Sequence, residues 1–322
     1  MTDKAESQPT AYPMLGEGAN RVAPRTVWEN RNISARLRSE QTVRPDSGRY
    51  CRQAVVDLGT VPAAFDPGEL AERAPASPKA AHVEVRLAVN AWEHLQAFNL
   101  VHEQYVAFGY MEANENRVRV TPWNLRSLSH TFIALRYGRI VGTLTCIEDS
   151  PLGLPADELY PQEILALRAK RGKLLEVSAL AISSQETDTT VVMELIRHLI
   201  TLSRSELHGT DWVITINPRH VRFYQKVMLF ETLGEEKASL KVNGAPAVLL
   251  RMDLMEMPAK YAVRYGRREG ARNLHHYFFS PKEEQSRLAE LRNDTELRIM
   301  QWGHICRVLE LIGGLKTRPT HN

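Results

Sequence analysis

The chain has 322 residues, 43% of them hydrophobic, and a formal net charge of +3. It can bury a sizeable core, and it lacks the strongly basic balance of a general nucleic-acid binder. Its cysteines, Cys51, Cys146 and Cys306, lie far apart and make neither a disulfide framework nor a metal-ligand spacing, so a reducing compartment, the cytoplasm, is expected, with no metal.

Residues 1–80 hold eight of the 17 prolines, and residues 21–52 carry eight Arg against three acids. Apart from QAVVDLG there is little periodic apolar signal. A partly ordered extension ending in the linker AERAPASPKA is expected. Its arginines leave a peripheral position at a membrane open. No signal peptide is legible, and no run approaches the roughly 20 apolar residues of a membrane helix.

An α/β pattern occupies residues 81–257. HVEVRLAV alternates as a strand. NAWEHLQAFNLVHEQYVAFGY predicts a helix with Asn90 as N-cap and Trp92, Leu95, Phe98, Leu100, Val101, Tyr105 and Phe108 on its apolar face. A long polar loop from Tyr110 to His130 follows, carrying Arg117, Arg119, Trp123 and Arg126. TFIALRYGRIVGTLTCIED reads as two strands around a tight turn at Tyr137-Gly138. PQEILALRAKRGK predicts a short helix and LLEVSALAI a buried strand. DTTVVMELIRHLITLSRSEL predicts a helix capped by Asp188, with Val192, Leu195, Ile196, Leu199 and Leu202 inward. DWVITI is a strand, PRHVRFYQKVM a helix, and ASLKV and AVLLRMDL a last pair of strands. Hairpins mixed with crossover helices imply a mixed sheet flanked by helices. In residues 258–322, Ser280-Pro281 and Gly313-Gly314 bracket one or two tail helices.

Glu176 stands inside an apolar strand, where an acid is costly to bury without a partner. It is a candidate general base; a structural ion pair with an arginine such as Arg86 or Arg136, or a place on a strand's solvated face, is the alternative. Ser178 shares its face by the two-residue period. Tyr224 is either a chemical group or a packing residue.

The element order, and NPRHVRFYQKVMLFETLG in particular, resembles the GNAT acyltransferase fold. The segment FIALRYGRIVGTLTCIEDSPLGLPADELYPQEILALRAKRGKLLEVSALAI is similar to its acyl-carrier-dependent branch, which includes the autoinducer synthases. Within that branch, DSPLGLP and GYMEANENRVRVTP resemble the N-acyl amino acid synthases of the FeeM type. The likeness covers residues 82 to 255. Two features depart from the wider group. Ala179 follows Glu176-Val177-Ser178 where autoinducer synthases usually carry Arg. SSQETDTTV lacks the Gly-rich turn that cradles a coenzyme A pyrophosphate.

The resemblance implies an enzyme moving a long-chain acyl group from acyl-carrier protein to an amino acid, with tyrosine as a candidate. The acyl group rides on 4′-phosphopantetheine, no cofactor is permanently bound, and the amphiphilic product can act on membranes. It implies Glu176 as base, Tyr224 as acid for the departing thiolate, and Ser178 as a positioning group. Ala179, Leu180, Ala181 and Ile182 would hold the pantetheine and oxyanion. Arg86, Glu148, Trp123 and Arg126 would meet the acceptor. Two basic clusters would dock the acidic carrier: Arg168, Lys170, Arg171 and Lys173, and Arg219, Arg222 and Lys226. A catalytically idle acyl- or carrier-binding module and a coenzyme A-dependent acetyltransferase are the alternatives.

Overall fold

In a computed structural model of the chain, the residues described are 82–170, 172–186, 189–265 and 280–314. The expected extension over 1–80, Arg171 and the Asp188 cap lie outside them.

β1 (Glu84–Leu87) leads into α1 (Ala91–Ala107). Asn90 caps α1, its side chain accepting the Glu93 N–H at 3.0 Å, and the Glu93 carboxylate accepts the Val89 N–H at 2.8 Å. These bonds satisfy N–H groups that the first turn cannot pair. Leu95, Phe98, Val101 and Tyr105 face inward as expected, but Trp92 and Phe108, at the two ends of the apolar stripe, are exposed.

β2 (Ser129–Arg136) and β3 (Arg139–Glu148) form a hairpin. Tyr137 and Gly138 both take positive φ, 53° and 72°, the conformation a two-residue turn requires. Then come α2 (Pro161–Arg168), β4 (Leu174–Ile182), α3 (Thr190–Thr201), β5 (Asp211–Ile216) and α4 (Val221–Lys226). The last strands are β6 (Glu231–Thr232), β7 (Lys237–Ser239) and β8 (Ala245–Asp253), followed by α5 (Met257–Tyr265) and α6 (Pro281–Gly313). α5 carried no clear sequence signal, and the tail is one continuous helix over residues 281–313 rather than two.

The strand order is β1-β2-β3-β4-β5-β8-β6, with β7 beside the start of β8. Every neighbouring pair is antiparallel except β4 and β5. One face carries α3, whose Val191, Leu195 and Leu199 pack on Leu144, Leu175 and Leu180. Gly142 permits this close approach: a Cβ there would stand 2.5 Å from Val191 Cγ1. The other face carries α1 and the C-terminal half of α6 through Phe98, Ile133, Ile305 and Leu309.

The two halves of α6 pack on opposite faces, with Leu291 in the α3-side core and Ile305 in the α1-side core. Between them Asp294 accepts the Leu87 N–H at 3.2 Å, covering the free edge of β1. A bare edge strand would invite pairing with another chain. Arg298, 1% exposed, reaches inward and donates to the Ser129 and Ser127 carbonyls.

Candidate active site

Two backbone irregularities open the sheet at one point. β4 and β5 pair at Leu174–Asp211, Leu175–Trp212 and Glu176–Val213. Beyond Glu176, β4 runs on to Ile182 and β5 to Ile216 without pairing to each other, so the strands diverge. On its other edge β4 bulges: Thr145 opposes Ser178 while Thr143 opposes Ala181, which gives β4 one extra residue. Ala179 sits in the bulge at φ 54°, a left-handed conformation that costs a non-glycine residue about 1–2 kcal/mol. Bulges bend a strand and re-aim its groups. Past the bulge, alternate N–H groups of β4 face the gap instead of a partner strand.

A cavity of about 270 Å³ lies at this divergence. The sheet contributes Thr145, Ile147, Glu176, Ser178 and Thr215, and the walls include Tyr105, Tyr110, Arg119, Trp123, Ala156 and Lys241. The two-residue period of the strands places Glu176, Ser178 and Thr215 on one face.

Glu176 is 3% exposed. Its Oε2 accepts the Ala156 N–H at 2.8 Å. Burial pushes its carboxyl up to about 8, against the lowering effects of that N–H and of the Lys241 charge. The alternative ion pairs are not made. Arg86 bonds Glu93 at 2.9 and 3.1 Å, and Arg136 pairs with Glu186 at 2.5 Å. The partner of Glu176 is a backbone dipole.

That dipole is held by a clamp. Pro155–Glu158 forms a 3-10 turn. The Arg168 guanidinium donates two bonds to Asp149, each 2.7 Å, and two to Asp157, each 2.6 Å. Asp157 in turn accepts the Leu154 N–H at 2.6 Å. Arg168, expected on a docking surface, is engaged inside the chain. Lys173 is likewise paired, with Glu148 at 2.8 Å. Arg219 donates to the Tyr110 hydroxyl at 3.0 Å and to His220 Nε2 at 2.6 Å. Lys170, Arg222 and Lys226 are exposed.

The acceptor group of residues divides. Trp123 lines the cavity, and its buried Nε1 has no hydrogen-bond partner among the described residues. Arg126 does not line it. Its guanidinium lies 5.4 Å from the centre of the Trp123 ring and donates to the Gly153 carbonyl at 2.9 Å. Glu148 is buried between His130 and Lys173, 2.8 Å from each, and those bonds hold its carboxyl down at about 2 against the effect of burial. Arg86 lies on β1 and is paired with Glu93 in the first turn of α1. Both are removed from the cavity lining by their own ion pairs.

Tyr224 is 1% exposed and does not line the cavity. Its ring packs edge-on against Phe223 and Phe230, at 5.4 and 5.5 Å. Of the stretch after Ser178, Ala179 lines the cavity, Leu180 and Ile182 pack in the α3-side core, and Ala181 packs beside Tyr105.

Sequence reasoning passed over three lining residues. Thr215 carries a buried hydroxyl with no hydrogen-bond partner among the described residues; alternation in DWVITI gives its face but not the divergence of the strands. Lys241 was read into a strand, yet β7 stops at Ser239 and a 3-10 turn over Leu240–Val242 follows. Lys241 Nζ thereby reaches the Pro155 carbonyl at 2.7 Å and Glu158 at 3.2 Å, 4.2 Å from the centre of the Trp123 ring. Arg119 was one of several loop arginines, and only the fold separates it from Arg126.

Residues 96–253 match the family model described as "N-acyl amino acid synthase FeeM". Among solved structures, the chain is similar to FeeM, an N-acyl amino acid synthase from uncultured soil microbes. The identity is 26% and the TM-score 0.51, over 57% of this chain and 98% of that one. Weaker likenesses include the coenzyme A-dependent acyl-homoserine lactone synthase BjaI, at 15% identity and TM-score 0.43 over 57% of this chain and 90% of that one. The AHL synthase LasI is 17% identical with a TM-score of 0.39, over 54% of this chain and 91% of that one. A sequence comparison with curated proteins found no match. With a mixed sheet opened between β4 and β5, the chain has a GNAT-like fold, its residues 96–253 match the FeeM N-acyl amino acid synthase model, and it is an N-acyltransferase.

Proposed function

We propose that the enzyme moves a long-chain fatty acyl group from the phosphopantetheine arm of acyl-carrier protein to the α-amino group of an amino acid, with tyrosine the first candidate. The observation that carries this reading is Glu176: a buried carboxyl without a cationic ion-pair partner, at the point where β4 and β5 part, beside an aromatic-walled cavity.

The chemistry follows from the arrangement. An α-ammonium group titrates near pH 8, close to the raised value of Glu176. Proton transfer from ammonium to carboxylate then costs little, and a neutral amine is available near neutrality. The amine attacks the thioester carbonyl and the C–N bond forms. N–H groups of β4 facing the gap receive the oxyanion. Collapse breaks the C–S bond and the thiolate leaves to take up a proton. The sequence of the turn before α3 supports a carrier donor, because SSQETDTTV offers no glycine cradle for a pyrophosphate. Glu186 in that turn is engaged with Arg136.

The test is expression in a bacterial host, lipid extraction and mass spectrometry, followed by assay of the purified chain with acyl-carrier thioesters and amino acids. New N-acyl amino acids dependent on Glu176 are expected. Carrier binding without turnover on any acceptor would leave an idle binding module, and a preference for acyl-coenzyme A would end the carrier assignment.

A further inference from the structure

Arg119 is the cavity cation that its surroundings leave uncompensated. It lines the cavity half-buried. Its backbone N–H is anchored on the Phe98 carbonyl at 3.1 Å, and its guanidinium lies 4.4 Å from the centre of the Tyr105 ring. Stacking covers a face of the guanidinium and leaves the in-plane N–H groups to meet a planar anion. No acid among the described residues pairs with it. The cations around it are engaged: Arg117 with Glu103, Lys241 with Glu158, and Arg126 with backbone carbonyls. The buried Trp123 Nε1 is a further donor in the same cavity without an acceptor among the described residues. Leaving such a group unpaired is costly.

We infer that Arg119 binds the carboxylate of the acceptor, so that the site selects α-amino acids over the corresponding amines. This rests on the N-acyltransferase reading above. An acyl donor also brings an anion, the phosphate of the pantetheine arm, and position separates the two. That phosphate lies the whole length of the arm from the thioester carbon. An amino acid carboxylate lies one carbon from the attacking nitrogen. A cation sharing a cavity of about 270 Å³ with Glu176 matches the second.

The test uses two products that differ only in the carboxylate, N-dodecanoyl-tyrosine and N-dodecanoyl-tyramine, titrated calorimetrically into the full chain. The wild type should bind the first at least about tenfold more tightly, the scale of a charge-assisted bidentate pair. Arg119→Gln should erase that preference, and Arg119→Lys should keep part of it. In turnover, Arg119→Gln should raise KM for tyrosine and leave KM for the acyl-carrier donor unchanged. Equal binding of the two products by the wild type would overturn the inference, a comparison that needs no variant to fold. So would a preference that survives in a folded Arg119→Gln, or a rise confined to the donor's KM, which would move the anion to the phosphate. A wild type that keeps the product preference but turns over no acceptor would sink the acyltransferase reading and spare the carboxylate site.

Discussion

The Ala156 N–H donates to Glu176 Oε2 across 2.8 Å, joining the 3-10 turn of Pro155–Glu158 to the strand that opens the sheet. The bond orients the carboxyl without neutralising it as an arginine would. Burial therefore governs its protonation, and the group titrates at about 8.

Glu176→Gln keeps an oxygen for the Ala156 N–H and removes the base. Turnover should fall about 10²-fold or more with the fold intact by circular dichroism. In the wild type kcat/KM should climb toward a plateau above pH 8, and the variant should keep only the part of that rise that belongs to the acceptor's ammonium group. Activity within a few-fold of wild type would take Glu176 out of the mechanism.

The same substitution has a signature in stability. A carboxyl whose folded value is raised from 4.5 to about 8 binds more protons folded than unfolded between those limits. Wild-type stability therefore declines as pH rises through that window. The glutamine variant has no such proton to lose. Its Tm relative to wild type should rise between pH 5 and pH 8.5; a constant difference would show that the buried carboxyl ionises freely.

Arg168 and the exposed pair Arg222 and Lys226 should behave oppositely. Arg168→Met strands Asp149 and Asp157, loosening the turn that presents Ala156. We expect a loss of roughly 2 kcal/mol of stability and a lower kcat, with KM for the carrier little changed. Reversing Arg222 and Lys226 to Glu should leave Tm alone and raise KM for acyl-carrier protein. Its salt dependence should flatten, because exposed charges act mainly on encounter. Unchanged carrier kinetics across salt would remove this face from docking.

Tyr224→Phe should leave turnover within a few-fold of wild type from pH 6 to 9, because the ring lies among core side chains. A pH-dependent loss of tenfold or more, at unchanged stability, would restore the hydroxyl to thiolate protonation.

What the sequence disclosed was periodicity and caps. Asn90, the Tyr137-Gly138 turn, the Ser280-Pro281 start and the apolar strand around Glu176 all follow local rules, and each is found in the fold. The partners of charges were not legible. Arg168 and Asp149 are 19 positions apart and Arg219 and Tyr110 are 109 apart, so no local rule separates a solvated arginine from a clamped one. For the same reason the sequence does not separate Arg119, which lines the cavity, from Arg126, which does not. The separation of β4 from β5 lies beside a bulge at Ala179, an alanine that announces nothing in a run of small residues.

The bond between Leu87 and Asp294 spans 207 positions. During synthesis the first strand is made long before the helix that will cover it. Until the end of α6 has left the ribosome, the nascent sheet presents β1 bare to other chains. Loss of the helix from Asp294 onward should therefore be felt first as poor soluble yield, before any defect at the catalytic cavity is measured.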